Sequence, residues 1–175
     1  MNLEKFVRTI PDFPEPGIMF RDVTTIFNNA DAFRECVNQF AELWNDTKFD
    51  AIAGIDARGF IIGSGLAYKL GLPFVPLRKK GKLPFQTISE CYELEYGKAV
   101  LEVHTDSITE KTKVLIVDDL IATGGTIGAA VKLIKRLGGE VAGCGFIIQL
   151  PELGGVSTLE LTGIKTKSLL SFGGH

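Results

Sequence analysis

The chain has 175 residues, the size of one ordinary domain, and 45% of them are hydrophobic against 23% charged. That balance folds around a core and excludes an intrinsically disordered chain. The net charge of −2 excludes a global attraction for nucleic acid or an anionic membrane surface.

Residues 2–10 read as a short helix, after which Pro11, Pro14, Pro16 and Gly17 break the chain into an extended arm. From Asp31, read as an N-cap, Phe33, Val37, Phe40, Ala41 and Trp44 recur at helical spacing. Ala51–Ile55 reads as a buried strand ending at Asp56, Phe60–Leu70 as a helix stopped by Gly71, and Phe74–Leu77 as a second strand. A basic turn, Arg78-Lys79-Lys80-Gly81-Lys82, follows. Strands around Tyr92–Leu94 and Ala99–His104 pair as a mobile hairpin joined at Tyr96-Gly97-Lys98. Val114–Val117 has the apolar, β-branched character of a central parallel strand. Thr126–Leu137 reads as a helix, Val141–Leu150 as a strand and Lys167–Ser171 as a last strand.

Alternation of strand and helix predicts an α/β fold, with a mainly parallel central sheet flanked by helices. No linker divides it, so residues 1–175 are read as a single domain that includes an arm over residues 1–28. No apolar run reaches the roughly 18–20 residues that span a bilayer, and the segment MNLEKFVRTIPDF lacks a signal-peptide core. Three scattered cysteines, Cys36, Cys91 and Cys144, point to a reducing, cytoplasmic setting without disulfides. The 20 glycines follow no fixed period, which excludes collagen-like and repeat architectures.

The chemistry concentrates in residues 114–126. A buried strand delivers Asp118 and Asp119, then Ala122-Thr123-Gly124-Gly125-Thr126 leads into a helix. Open α/β sheets bind ligands at the carboxyl ends of their strands. The N–H groups of such a turn, the helix N-terminus and the hydroxyls of Thr123 and Thr126 make a phosphate-sized anion site. Two adjacent carboxylates beside it suit the vicinal hydroxyls of a sugar. The pattern describes a ribose 5-phosphate site, while the P-loop pattern and G-x-G-x-x-G are both absent from the sequence.

Residues 114–126 resemble the phosphoribosyl-pyrophosphate (PRPP) signature of the type I phosphoribosyltransferases. The resemblance narrows to the adenine-using branch of that family through further segments. These are Pro11-Asp12-Phe13-Pro14 with residues 16–24, Gly54-Ile55-Asp56-Ala57-Arg58-Gly59-Phe60, residues 78–84, and Tyr92-Glu93-Leu94-Glu95-Tyr96-Gly97. The chain departs at Thr24-Thr25, where relatives commonly carry Thr-Pro, which implies a slightly more flexible arm.

The resemblance implies transfer of the 5-phosphoribosyl group of PRPP to N9 of adenine, giving AMP and pyrophosphate. It implies that Asp118, Asp119, Ala122, Thr123, Gly124, Gly125 and Thr126 hold PRPP or AMP. Ala57, Arg58 and Gly59 would form the pyrophosphate loop, with a cis peptide between Asp56 and Ala57. Arg78, Lys79 and Lys82 would clamp pyrophosphate, some from a neighbouring subunit, which implies a homodimer. Backbone groups of Met19, Phe20 and Arg21 would read the adenine edge, with the Phe20 ring stacking on the purine. Glu95 and Tyr96 would belong to a catalytic loop, Glu95 handling the imidazole proton. Spacing alone does not choose Glu95 over Glu93 and Glu102; the resemblance does. Mg²⁺ would arrive bound to PRPP, since the isolated His104 and His175 give no metal-ligand spacing. Two rival readings remain: a transferase for a 6-oxopurine such as xanthine, and a PRPP-sensing transcription regulator built on the same fold.

Overall fold

The opening segment departs from the expected helix. Only Leu3–Phe6 coils, as one 3-10 turn capped by Asn2, whose Oδ1 accepts from the Glu4 N–H at 3.0 Å. Arg8–Ile10 (β1) is a strand that pairs antiparallel with Phe20–Asp22 (β2), in the register Arg8↔Asp22, Thr9↔Arg21, Ile10↔Phe20. β-Branched Thr9 and Ile10 suit a strand, and the long-range pairing overrides a weak local helical preference. The proline-rich arm therefore does not run straight out. It folds back between the two strands, with Asp12 Oδ1 accepting from the Gly17 N–H at 2.8 Å and the Phe13–Pro14 peptide cis. The structure, a computed structural model, describes residues 1–94 and 96–174.

β2 ends on a buried carboxylate. Asp22 accepts from Arg8 Nε at 3.0 Å and Nη2 at 2.5 Å, and from the Thr24 N–H at 2.9 Å and hydroxyl at 2.7 Å. Desolvation pushes the Asp22 carboxyl up, but the bonds from Arg8 and Thr24, with the Arg8 charge, outweigh it and hold the group below its ordinary value. A single helical turn, Thr24–Phe27 (α1), follows. Thr25, the departure from the family pattern, bonds through its hydroxyl to the carbonyls of Phe6 and Asp22, contacts a proline would not supply. The next helix, Ala30–Leu43 (α2), is capped by Asn29 instead of the expected Asp31, with Asn29 Oδ1 accepting from the Ala32 N–H at 2.9 Å. Asp31 sits in the first turn, where the helix dipole favours a carboxylate, and pairs with Arg34 at 2.9 Å.

The remaining elements alternate as the sequence predicts. They are Ala51–Ile55 (β3), Arg58–Leu70 (α3), Phe74–Lys79 (β4), the hairpin Thr87–Glu93 (β5) and Lys98–His104 (β6), then Lys113–Ile121 (β7) and Gly125–Arg136 (α4). Glu140–Gln149 (β8), a 3-10 turn at Pro151–Leu153, Gly155–Leu161 (α5) and Thr166–Ser171 (β9) complete the order. Gly71 stops α3 in the left-handed conformation, at φ 66°. The main sheet runs β5-β6-β4-β3-β7-β8-β9, with β4, β3, β7, β8 and β9 mutually parallel and the hairpin joined antiparallel to β4. Side chains alternate across this sheet, so each central strand feeds two cores. Ala51, Ala53, Ile55, Val114 and Ile116 face α4, whereas Ile52, Leu115 and Val117 join Phe40 and Trp44 at the α2 end and Ile62 and Leu66 of α3.

Three differences from expectation bear on the site. β4 continues through Arg78 and Lys79, which shortens the basic turn to residues 80–82. β7 runs four residues past Val117, so Asp118 and Asp119 lie within the strand and not beyond its end. The hairpin extends the edge of the main sheet instead of standing apart from it. Cys36 and Cys144 are buried thiols that desolvation pushes up to about 12, while Cys91 is exposed on β5.

The buried Asp22 carries a pH signature. Its folded pKa lies below the unfolded value of 3.8, so its contribution is fully present above that value and is lost as pH falls through the lower folded one. Asp22→Asn is expected to lower the urea midpoint at neutral pH, with the gap from the parent protein closing below about pH 4. Urea titrations across that range check this; a gap that stays constant with pH contradicts it.

Candidate active site

The turn between β7 and α4 is shaped by glycine where no other residue fits. Gly124 caps α4 at φ 92°, and its position is backed by Gly155, whose N–H donates to the Ala122 carbonyl at 3.0 Å. A Cβ on Gly155 would stand 2.5 Å from that carbonyl oxygen and 2.9 Å from the Gly124 nitrogen. The first turn of a helix leaves its N–H groups without intrahelical acceptors, and here they open into a polar cavity of about 220 Å³. Arg58, Asp118, Asp119 and residues 122–126 line it, together with Ile127 and Phe146. No side chain caps α4, and Thr123 and Thr126 line the cavity at the helix N-terminus.

The two carboxylates differ in surroundings. Asp119, 5% exposed, accepts from Arg58 Nε at 2.5 Å. Asp118 accepts from the Asp119 N–H at 2.8 Å and packs against the start of α3, where a Cβ on Gly59 would stand 2.9 Å from its Oδ1. Desolvation first, and the Asp119 charge second, push the Asp118 carboxyl well above its ordinary value. The pair therefore offers one carboxylate already matched to a guanidinium and, beside it, one whose carboxyl is raised by burial and its neighbour's charge.

The loop from β3 to α3 carries the expected cis peptide between Asp56 and Ala57. Arg58 opens α3 and reaches Asp119, a contact across 61 positions that no local pattern announces. Arg78 faces the same region from β4, donating to Asp56 Oδ2 at 3.3 Å and lying 5.6 Å from the Phe60 ring centroid. Ala57 and Gly59 shape the loop, while Lys79 and Lys82 are exposed; none of these four, nor Arg78, lines either of the two cavities described.

A second, larger and more apolar cavity of about 760 Å³ adjoins the first. Met19, Phe20 and Arg21 of the β2 segment line it, and Arg58, Ala122, Thr123, Gly125 and Thr126 belong to both cavities. Arg58 stands 5.9 Å from the Phe20 ring centroid. Sequence reasoning missed Leu120, Leu150 and Leu153, which supply apolar wall from β7 and from the turn at Pro151–Leu153. It also passed over Glu93 in favour of Glu95; Glu93 is the last residue of β5 and lines the cavity. Tyr96 is exposed and donates its hydroxyl to Glu15 Oε2 at 3.3 Å, which brings the hairpin tip to the arm. Glu95 lies outside the described residues.

The close approach at Gly155 predicts a local effect. Gly155→Ala is expected to cost about 1–3 kcal/mol, the usual scale of overpacking, and to displace the Ala122–Gly124 turn. A lowered urea midpoint together with shifted amide resonances at residues 122–126 bears this out; parent-like values of both contradict it.

Comparison with known proteins places this geometry. The model of the phosphoribosyl transferase domain matches residues 22–158. An adenine phosphoribosyltransferase of Parvibaculum lavamentivorans is 54% identical over 175 residues, covering 100% of both chains. One from Maricaulis maris is 52% identical over 174 residues, covering 99% of each. Among solved structures, adenine phosphoribosyltransferase from Thermoanaerobacter pseudethanolicus superposes with a TM-score of 0.93 at 47% identity, covering 98% of this chain and 100% of that one. The Saccharomyces cerevisiae enzyme, solved with an imino-altritol bisphosphate and adenine, gives 0.89 at 37% identity, with 96% of each chain covered. With its Asp-Asp strand, glycine turn and helix matched along nearly its whole length, the chain belongs to the phosphoribosyltransferase family.

Proposed function

We propose that this chain transfers the 5-phosphoribosyl group of PRPP to N9 of adenine, releasing pyrophosphate and AMP. The observation that carries the reading is the shared wall. Arg58, Ala122, Thr123, Gly125 and Thr126 line both the small polar cavity and the larger apolar one. A phosphoribosyl group in the first is thereby set against a flat base in the second. The adenine-specific relatives support the choice of base over a 6-oxopurine and over a sensor role.

In this reading residues 122–126 cradle the 5-phosphate with N–H groups and hydroxyls, and Asp118 and Asp119 take the ribose hydroxyls. Arg58, with Ala57 and Gly59, meets pyrophosphate, and Arg78 adds charge where negative charge develops on the leaving oxygen. Met19, Phe20 and Arg21 present backbone donors and acceptors to the base edge. A 6-oxopurine would mispair there, at roughly 1–3 kcal/mol for each buried group left unsatisfied.

N9 attacks C1 of the ribose as the C1–oxygen bond to pyrophosphate breaks, and the imidazole-ring proton passes to Glu95. Tyr96 and the hairpin close over the site and exclude water. Mg²⁺ supplies charge neutralisation of the phosphates when bound. Asp119, already paired with Arg58, fits a metal that is carried in by PRPP oxygens and water.

The chain is further proposed to be a single cytoplasmic domain acting as a homodimer. The exposed Ile61, Tyr68 and Leu70 of α3 suit burial by a second copy. Lys79 and Lys82, which line neither cavity, suit residues that reach a neighbour's site. No helix among the described residues is long and apolar enough to cross a membrane.

The test is a base competition. Protein, PRPP and Mg²⁺ with equimolar adenine, hypoxanthine, guanine and xanthine are expected to yield AMP alone. A 6-oxo nucleotide overturns the base assignment, and no nucleotide overturns the transferase reading. Glu95→Gln is expected to keep PRPP binding while kcat falls about 10²–10⁴-fold, the scale of general acid–base catalysis. Near-normal turnover in that variant removes Glu95 from the role.

A further inference from the structure

The proposed chemistry uses the cavity side of β2 and leaves its other side unexplained. Successive side chains of a strand point to opposite faces, so Phe20 and Arg21 diverge. Phe20 meets Phe13 with ring centroids 5.2 Å apart at the cavity. The Arg21 guanidinium instead turns to the segment after β9. Its Nη1 donates to Thr9 Oγ1 at 2.6 Å, its Nη2 donates to the Gly173 carbonyl at 3.0 Å, and its carbon lies 4.7 Å from the Phe172 ring centroid.

Phe172 and Gly173 are themselves tied to the cavity wall. The Phe172 N–H donates to the Gln149 carbonyl at 3.1 Å, and its ring packs in the cluster that holds Leu150 and Leu153. Gly174 donates its N–H to Glu152 Oε1 at 3.4 Å, in the 3-10 turn that contributes Leu153. One guanidinium thus joins both strands of the arm to the segment that backs the Leu150 and Leu153 part of the base cavity's wall. A ribbon of two three-residue strands is marginal without such support.

We infer that Arg21, Thr9 and the Phe172-Gly173 segment form a clamp that sets the depth of the base-reading backbone, and hence the affinity and selectivity for the purine. Arg21 acts here as a positioning residue through its side chain. The inference rests on the adenine reading given above. Its physical basis is that backbone hydrogen bonds to a base edge weaken steeply with small errors of distance and angle. A planar fork that spans two acceptors while stacking on a ring is a task that lysine does not perform.

The test compares Arg21→Lys, Phe172→Ala and Phe172→Tyr with the parent protein, measuring KM for adenine, KM for PRPP, kcat/KM for adenine against hypoxanthine, and thermal midpoint. Arg21→Lys and Phe172→Ala are expected to raise the adenine KM about tenfold, the scale of one lost charged hydrogen bond or cation–ring contact. Adenine-over-hypoxanthine selectivity falls with it, while the PRPP KM stays unchanged. Phe172→Tyr, which keeps the ring face, restores parent values. An unchanged adenine KM in the first two variants overturns the clamp, as does an equal rise in both KM values with a lowered midpoint. Should either variant fail to fold, Thr9→Val, which removes only a hydroxyl, carries the test through the same KM split. Parent protein that makes no AMP from adenine sinks the underlying reading. Parent protein that makes it, beside variants with unchanged adenine KM, sinks the clamp alone.

Discussion

The ion pair between Arg58 and Asp119 joins the carboxyl ends of two neighbouring parallel strands, β3 and β7. Asp119 is buried, and a buried carboxylate deprived of its counter-charge is costly, so the pair sets where the β3–α3 loop stands relative to β7. The polar half of the site is arranged around that junction. Asp118 is packed against Gly59 because α3 begins there. Arg58 in turn forms wall common to the phosphate-sized cavity and the base-sized one.

Around this junction the fold sorts polar from apolar. The small cavity is made mainly by one continuous stretch, the end of β7, the glycine turn and the start of α4, with Arg58 of α3 and Phe146 of β8 completing it. The larger cavity is assembled from β2, the end of β5, the turn at Pro151–Leu153 and the same glycine turn. The hairpin is not remote from that turn, since a Cβ on Gly125 would stand 3.0 Å from the Glu93 carbonyl oxygen. Close packing of β5 on the glycine turn ties the hairpin to the wall of the small cavity. The Tyr96 hydroxyl on Glu15 couples its tip to the arm.

What was legible in the sequence follows from range. The cradle at residues 114–126 was readable because strand, turn and helix are contiguous and each has a local signature. The strands β3 and β7 announced themselves as buried apolar runs, β7 as one covered on both faces. The β1–β2 ribbon was not readable, because three-residue strands carry no periodicity and prolines between them suggest extension. The cap at Asn29 instead of Asp31 was a choice between two residues of nearly equal capping power. Arg58 reaching Asp119, Arg21 reaching Gly173, and Leu120 joining the turn of residues 150–153 at one wall are long-range contacts. Only the assembled sheet creates them. Glu95 was assigned through family resemblance, and it lies outside the described residues.

The most direct measurement of the central claim is a crystal structure of the protein with AMP. The account requires the phosphate on the N–H groups of residues 123–126, the ribose hydroxyls on Asp118 and Asp119, and the purine against Phe20 with its edge on the backbone of residues 19–21. A nucleotide seated elsewhere, or one whose base turns away from β2, would contradict it.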